Sequence, residues 1–221
     1  MDITAKSVTR YINSKYEAAS EKLIPFRNVG ERDRIPIILR ETESFLGVLL
    51  DLARPVKIFE IGTAIGYSAA FFAVSREDAE VYSVEKDEYA FRAAQANIRN
   101  AGVEDRVHLY LGDGQEVAER LRDEGIRDFD MIFIDAAKSH YRRFLDSSLG
   151  IAKDGCLVVC DNILQHGMTC DETADPKNKH KTNIAAMKNF IDHLYLDDEL
   201  KTRIFSIGDG IAVSEYRKKN G

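Results

Sequence analysis

The chain has 221 residues, 44% of them apolar, with 31 Lys and Arg against 37 Asp and Glu and a formal net charge of −6. That length and apolar content suit a single domain over 1–221 with a substantial core, and they exclude a disordered chain. The acidic balance excludes a protein that coats nucleic acid through its overall field, while leaving room for a local basic patch.

Met1 to Ser20 carries charges throughout and has no apolar signal core. Runs such as Phe45 to Leu50 fall far short of the ~20 apolar residues of a membrane span. The expectation is a soluble, cytoplasmic protein with no membrane partner. Cys156, Cys160 and Cys170 form no Cys-x-x-Cys pair, so neither a disulfide framework nor a zinc knuckle is indicated. Period two places Cys156 and Cys160 on one face of a strand, as small buried hydrophobes.

In chain order, helical spacing predicts two leading helices within 1–54, over Tyr11 to Leu23 and Ile37 to Leu52, the second ending before Pro55. The core, 55–221, then alternates. Strands are predicted over Val56 to Ile61, Glu80 to Val84, Val107 to Leu111, Phe129 to Ile134 and Cys156 to Cys160. Helices are predicted over Tyr67 to Ser75, Glu88 to Asn100, Gln115 to Arg122 and His140 to Leu149. Such alternation implies a doubly wound α/β sheet of parallel strands. After a polar insertion near 164–182 and a helix from Asn183 to Leu194, the strands Thr202 to Ile207 and Gly210 to Ser214 are joined by the short Gly208-Asp209 turn. They can only form an antiparallel hairpin, which completes a mostly parallel seven-stranded sheet.

The segment Phe59-Glu60-Ile61-Gly62-Thr63-Ala64-Ile65-Gly66-Tyr67-Ser68 closes the first strand and opens a helix, where open α/β sheets bind ligands. Gly62 admits close backbone approach, and Gly66 admits a tight turn into the helix. Neither Gly-x-Gly-x-x-Gly nor a phosphate-binding Gly-Lys-Ser/Thr is present, which speaks against a nicotinamide dinucleotide. Glu60 suits a cationic ligand such as S-adenosylmethionine. Glu85, after the second strand, can accept from both ribose hydroxyls. Asp113, in Gly112-Asp113-Gly114 after the third strand, is placed for the adenine edge.

The fourth strand delivers Asp135-Ala136-Ala137-Lys138, and the fifth delivers Asp161-Asn162. Asp135, Asp161 and Asn162 make a hard oxygen cluster without His or Cys, which suits Mg²⁺. A metal there would hold two adjacent substrate oxygens and lower the pKa of a hydroxyl. Lys138 could take the proton or stabilise the oxyanion, and a nearby cation favours the base role.

With these motifs the chain resembles the cation-dependent O-methyltransferase family that includes caffeoyl-CoA and catechol O-methyltransferases. The resemblance runs from Ile35 onward through Glu60 to Ser68, Asp135 to Lys138, Asp161-Asn162 and Gly208-Asp209-Gly210. It implies a class I, Rossmann-like methyltransferase fold and a homodimer. It also implies Asp135, Asp161 and Asn162 as metal ligands, Lys138 as base candidate beside Asp135, and Ile38, Gly62, Ser68, Glu85, Asp113 and Asp135 as cofactor contacts.

Within the family, Glu60 to Ser68, Phe133 to Lys138 and Ile207 to Ser214 are similar to bacterial tRNA 5-hydroxyuridine methyltransferases. Ala137 stands where plant-type enzymes usually have Asp, and Gln165 stands where relatives carry an aromatic residue. A tRNA substrate needs cationic contacts. Lys177, Lys179, His180 and Lys181 in the insertion are candidates, with Arg142, Arg143, Arg217, Lys218 and Lys219 as a basic rim. A small catechol or phenol is the alternative acceptor, since it would satisfy the same metal without a basic surface.

Overall fold

The computed structural model describes residues 4–219. Seven strands form one sheet in the order β3-β2-β1-β4-β5-β7-β6. They are β1 (Lys57–Ile61), β2 (Glu80–Glu85), β3 (Val107–Leu111), β4 (Phe129–Ile134), β5 (Ala152–Cys160), β6 (Leu200–Phe205) and β7 (Ile211–Tyr216). The first five pair in parallel, and β7 pairs antiparallel with both β5 and β6. This is the doubly wound sheet with a closing hairpin that the strand pattern predicts.

The helices are α1 (Lys6–Asn13), α2 (Ile24–Asp33), α3 (Arg40–Ala53), α4 (Tyr67–Ser75), α5 (Glu88–Ala101), α6 (Gly114–Asp123), α7 (Tyr141–Leu149) and α8 (Lys181–Leu196). Alternation along the strands divides the core between the sheet's two faces. Ile58, Val81, Met131 and Phe133 pack with the mostly apolar α4 and with α3 on one face. Phe59, Ile61, Ile132 and Ile134 pack with α6, α7 and α8 on the other. Cys156 and Cys160 join this second layer as buried free thiols. Each large apolar side chain so enclosed contributes about 1.5–3 kcal/mol.

Helix ends follow local chemistry. The Asp87 carboxylate accepts from Ala90 N at 2.8 Å to start α5, and Gly102, at φ 66°, ends it. The N-terminal third departs from the sequence-based prediction. The Tyr11 to Leu23 helix is instead α1, an irregular link and a 3-10 turn over Glu21–Leu23, and α2 follows it. Pro25 and Gly30 disguise α2, but a proline in the first helical turn gives up only an amide that has no partner there. α3 begins at Arg40 rather than Ile37, which leaves Ile35 to Leu39 as an extended strap. β5 begins at Ala152, with a register shift against β4 between Phe129 and Met131. β6 ends at Phe205, so the hairpin turn is longer than two residues. No helix among the described residues is long and apolar enough to cross a membrane.

Candidate active site

β1 and β4 are neighbours although β2 and β3 lie between them in the chain, so the strand order reverses between them. Over their C-terminal ends lies a cleft of about 520 Å³. Its walls include Ile38, Gly62, Ser68, Glu85, Gly112, Asp113, Gly114, Asp135, Lys138 and Asn162. These sequence-predicted residues come from six separate segments, and the fold brings them to one place.

Gly62 sits at φ +106°, and a Cβ there would lie 2.0 Å from the Asp135 carbonyl oxygen, so the loop can meet β4 only as glycine. Glu85 is oriented by three backbone amides. Ala64 N donates to Oε2 at 2.7 Å, and Lys86 N and Asp87 N donate to Oε1 at 2.8 Å. The carboxylate is thus held at the rim with lone pairs left for a diol.

Two predicted contacts are placed differently. Glu60 does not line the cleft. It shares the sheet face of Ile58, is fully buried, and accepts from the hydroxyl of its register partner Ser83. Burial, with Asp135 and Glu85 nearby, pushes its carboxyl up to about 7. Gly66 also stands behind the wall, where it starts α4 at φ +86° against Ala94.

Arg143, grouped with a basic rim on sequence, is committed to Asp113, which lines the cleft. It pairs with both carboxylate oxygens of Asp113, at 2.5 and 2.8 Å. That pairing holds the Asp113 carboxyl down to about 2, and Asp113 also caps α6 through Gln115 N at 3.1 Å. Asp113 caps α6 and Arg143 lies on α7, the next crossover helix, an approach that spacing along the chain does not reveal. Arg142 turns outward to Asp146 at 2.9 Å.

Deeper in the cleft, Lys138 Nζ donates to Asp135 Oδ1 at 3.1 Å, Asn162 Oδ1 at 3.2 Å and the Tyr141 hydroxyl at 2.7 Å. Tyr141, missed in the sequence, is buried and donates its own proton to the Asp161 carbonyl at 2.8 Å. Asp161 is fully buried. One oxygen accepts from Asn162 N at 2.7 Å, while Oδ2 has no hydrogen-bond partner. Burial and the neighbouring Asp135 raise its carboxyl well above the usual range.

A buried carboxylate oxygen without a partner is costly unless something cationic completes it. The Lys138 ammonium already bridges Asp135 and Asn162. The donor set of two carboxylates and an amide therefore fits a hard divalent cation. Among the described residues no three His, Cys, Asp or Glu side chains cluster as a metal site. The third donor here is the Asn162 amide.

Lys177, Lys179 and Lys181 are all exposed. The segment before them is built from 3-10 turns over Gln165–Gly167 and Glu172–Ala174, and α8 starts at Lys181 rather than Asn183. α8 packs against the Lys138–His140 turn. Gln165, at the position where an aromatic was expected, is buried and donates to the Thr169 hydroxyl at 3.2 Å and the Asn183 carbonyl at 3.3 Å.

A strand-end cleft of this kind on a sheet with a closing hairpin defines a class I methyltransferase. The sequence profile of the O-methyltransferase family matches residues 20–218. A catechol O-methyltransferase of Niastella koreensis is 30% identical over 172 residues, covering 76% of this chain and 78% of that protein. A caffeoyl-CoA O-methyltransferase of Populus kitakamiensis is 30% identical over 177 residues, covering 76% and 73%. A solved structure of a candidate caffeoyl-CoA O-methyltransferase from Staphylococcus aureus superposes with a TM-score of 0.87 at 28% identity, covering 94% of this chain and 98% of that one. The chain belongs to the O-methyltransferase family and is an S-adenosylmethionine-dependent enzyme of that class.

Proposed function

We propose that the chain is a cation-dependent O-methyltransferase that methylates 5-hydroxyuridine at the wobble position of tRNA to 5-methoxyuridine, working as a cytoplasmic homodimer. S-adenosylmethionine in the cleft would supply an electrophilic methyl group, and Asp135, Asp161 and Asn162 would hold a divalent cation such as Mg²⁺, which would supply Lewis acidity to the acceptor. Glu85 binds the ribose diol. Gly62 lets the loop approach the cofactor's amino-acid end beside Asp135, with Ile38 and Ser68 on the facing walls. The Gly112 to Gly114 turn borders the base.

Lys138 Nζ, as the neutral amine left once its ammonium has given a proton to solvent, would take the acceptor's hydroxyl proton. The bound cofactor's sulfonium would then yield its methyl group to the deprotonated acceptor oxygen, leaving S-adenosylhomocysteine. Holding the two reactants in line removes much of the entropic barrier.

The observation that carries the tRNA reading is the run of exposed lysines, Lys177, Lys179 and Lys181, leading into the helix that packs on the Lys138 turn. Gln165, at the position where relatives carry an aromatic residue, turns inward to Thr169 and Asn183 and so offers a small phenol no ring to stack on there. Exposed Val48 and Leu52 on α3 and Tyr11 on α1 provide apolar surface for a dimer. A second reading, a small catechol acceptor, is favoured by the substrates named for the Niastella and Populus relatives.

A Lys177→Ala/Lys179→Ala/Lys181→Ala variant separates the two. Removing three phosphate contacts is expected to weaken tRNA binding on the order of tenfold to a hundredfold near physiological salt, with the affinity for S-adenosylhomocysteine unchanged. Unchanged tRNA affinity, with rapid catechol turnover by both proteins, favours the small acceptor.

A further inference from the structure

Arg27, on α2, is 4% exposed, and the chemistry above makes no use of it. Its Nε donates to the Tyr67 hydroxyl at 2.9 Å. Nη2 donates to the Ile38 carbonyl at 3.2 Å and to Glu43 Oε2. Tyr67 donates to the same Glu43 oxygen at 2.6 Å, and Tyr16 donates to the other at 2.7 Å. One guanidinium thus joins α2, α3, α4 and the strap before α3.

The strap is thin. Pro36, Ile37 and Ile38 line the cofactor cleft on one side and a second hollow of about 480 Å³ on the other. Ile38 is buried in the core and Ile37 packs against it, while Pro36 and Leu39 on either side are exposed, so the backbone of the strap depends on its few hydrogen bonds. Ile35 N donates to the Gly30 carbonyl at 2.9 Å, and Ile37 packs where a Cβ on Gly30 would stand. Nearest the cleft, the Arg27 bond to Ile38 ties the strap to Tyr67, which lines the same cleft.

We propose that Arg27 is a positioning residue for the cofactor, fixing the Pro36 to Ile38 strap against Tyr67 so that the cleft is formed before the cofactor binds. The proposal rests on reading that cleft as the S-adenosylmethionine site. A planar fork can serve a carboxylate, a phenol and a carbonyl at once, and a lysine ammonium at this depth cannot. Loss of the pre-formed wall reduces affinity without altering the reacting groups.

Calorimetry with S-adenosylhomocysteine, thermal melting and kcat at saturating S-adenosylmethionine test it. Arg27→Lys is expected to bind S-adenosylhomocysteine about tenfold more weakly, the worth of one hydrogen bond to a charged group, with kcat within about threefold of the parent. An Arg27→Met/Glu43→Gln variant removes both buried charges and keeps an acceptor for Tyr67. Its Tm is expected to exceed that of Arg27→Met alone while its affinity stays about tenfold low. Parental affinity in either Arg27→Lys or the double variant overturns the proposal. Glu85→Ala separates this from failure of the cleft reading. If that variant loses S-adenosylhomocysteine binding while the Arg27 variants keep it, only the positioning role falls. If Glu85→Ala binds like the parent, the cleft reading itself falls.

Discussion

Asp161→Asn is expected to reduce methyl transfer by on the order of a thousandfold, because in the proposed function several kcal/mol of Lewis-acid stabilisation depend on a cation that Asp161 would help hold. Asn is nearly isosteric and keeps an oxygen to accept from the Asn162 amide, now 2.7 Å from the Asp161 carboxylate, so folding survives and the loss is chemical. The charge is what disappears. The buried Oδ2, now without a partner, becomes an amide that cannot offer an anionic ligand. The rate measured against divalent-cation concentration checks this. An Asp161→Asn enzyme with parental rate and parental cation dependence removes Asp161 from the metal site.

The second large effect is at Lys138. Lys138→Met is expected to lower kcat by about 10²–10⁴-fold, the usual worth of a positioned proton acceptor, with S-adenosylhomocysteine affinity within about threefold. Arg at this position distinguishes the two roles open to the lysine. A guanidinium stabilises an oxyanion but stays protonated, so Lys138→Arg should be nearly as inactive as Lys138→Met if Nζ takes the proton. Recovery of most of the rate by Lys138→Arg assigns oxyanion stabilisation instead. Tyr141, which accepts from Nζ at 2.7 Å, keeps the ammonium aimed between Asp135 and Asn162.

The strand-end residues were readable because each follows an apolar run that can only be a buried strand. Parallel pairing carries all such ends to one edge. Gly62, Glu85, Asp135 and Asn162 therefore converge as their positions in the chain require. Glu60 misled because it is one residue from the strand end. Alternation turns it to the opposite face, behind the cleft, where Ser83 meets it. The Arg143–Asp113 pair and the Arg27–Glu43–Tyr67 network were not legible, since each joins segments whose approach depends on how helices seat on the sheet. α2 was hidden by Pro25 and Gly30, residues that break a helix in its middle but are tolerated at its start or where Ile37 fills the space.

The most direct measurement is the initial rate of methyl transfer from S-adenosylmethionine to hydroxyuridine-containing tRNA and, in parallel, to catechol, each with Mg²⁺ and with a chelator. The predicted result is fast, Mg²⁺-dependent methylation of the tRNA, with catechol a poor acceptor. Transfer to tRNA that is absent, or that proceeds undiminished in the chelator, contradicts the account.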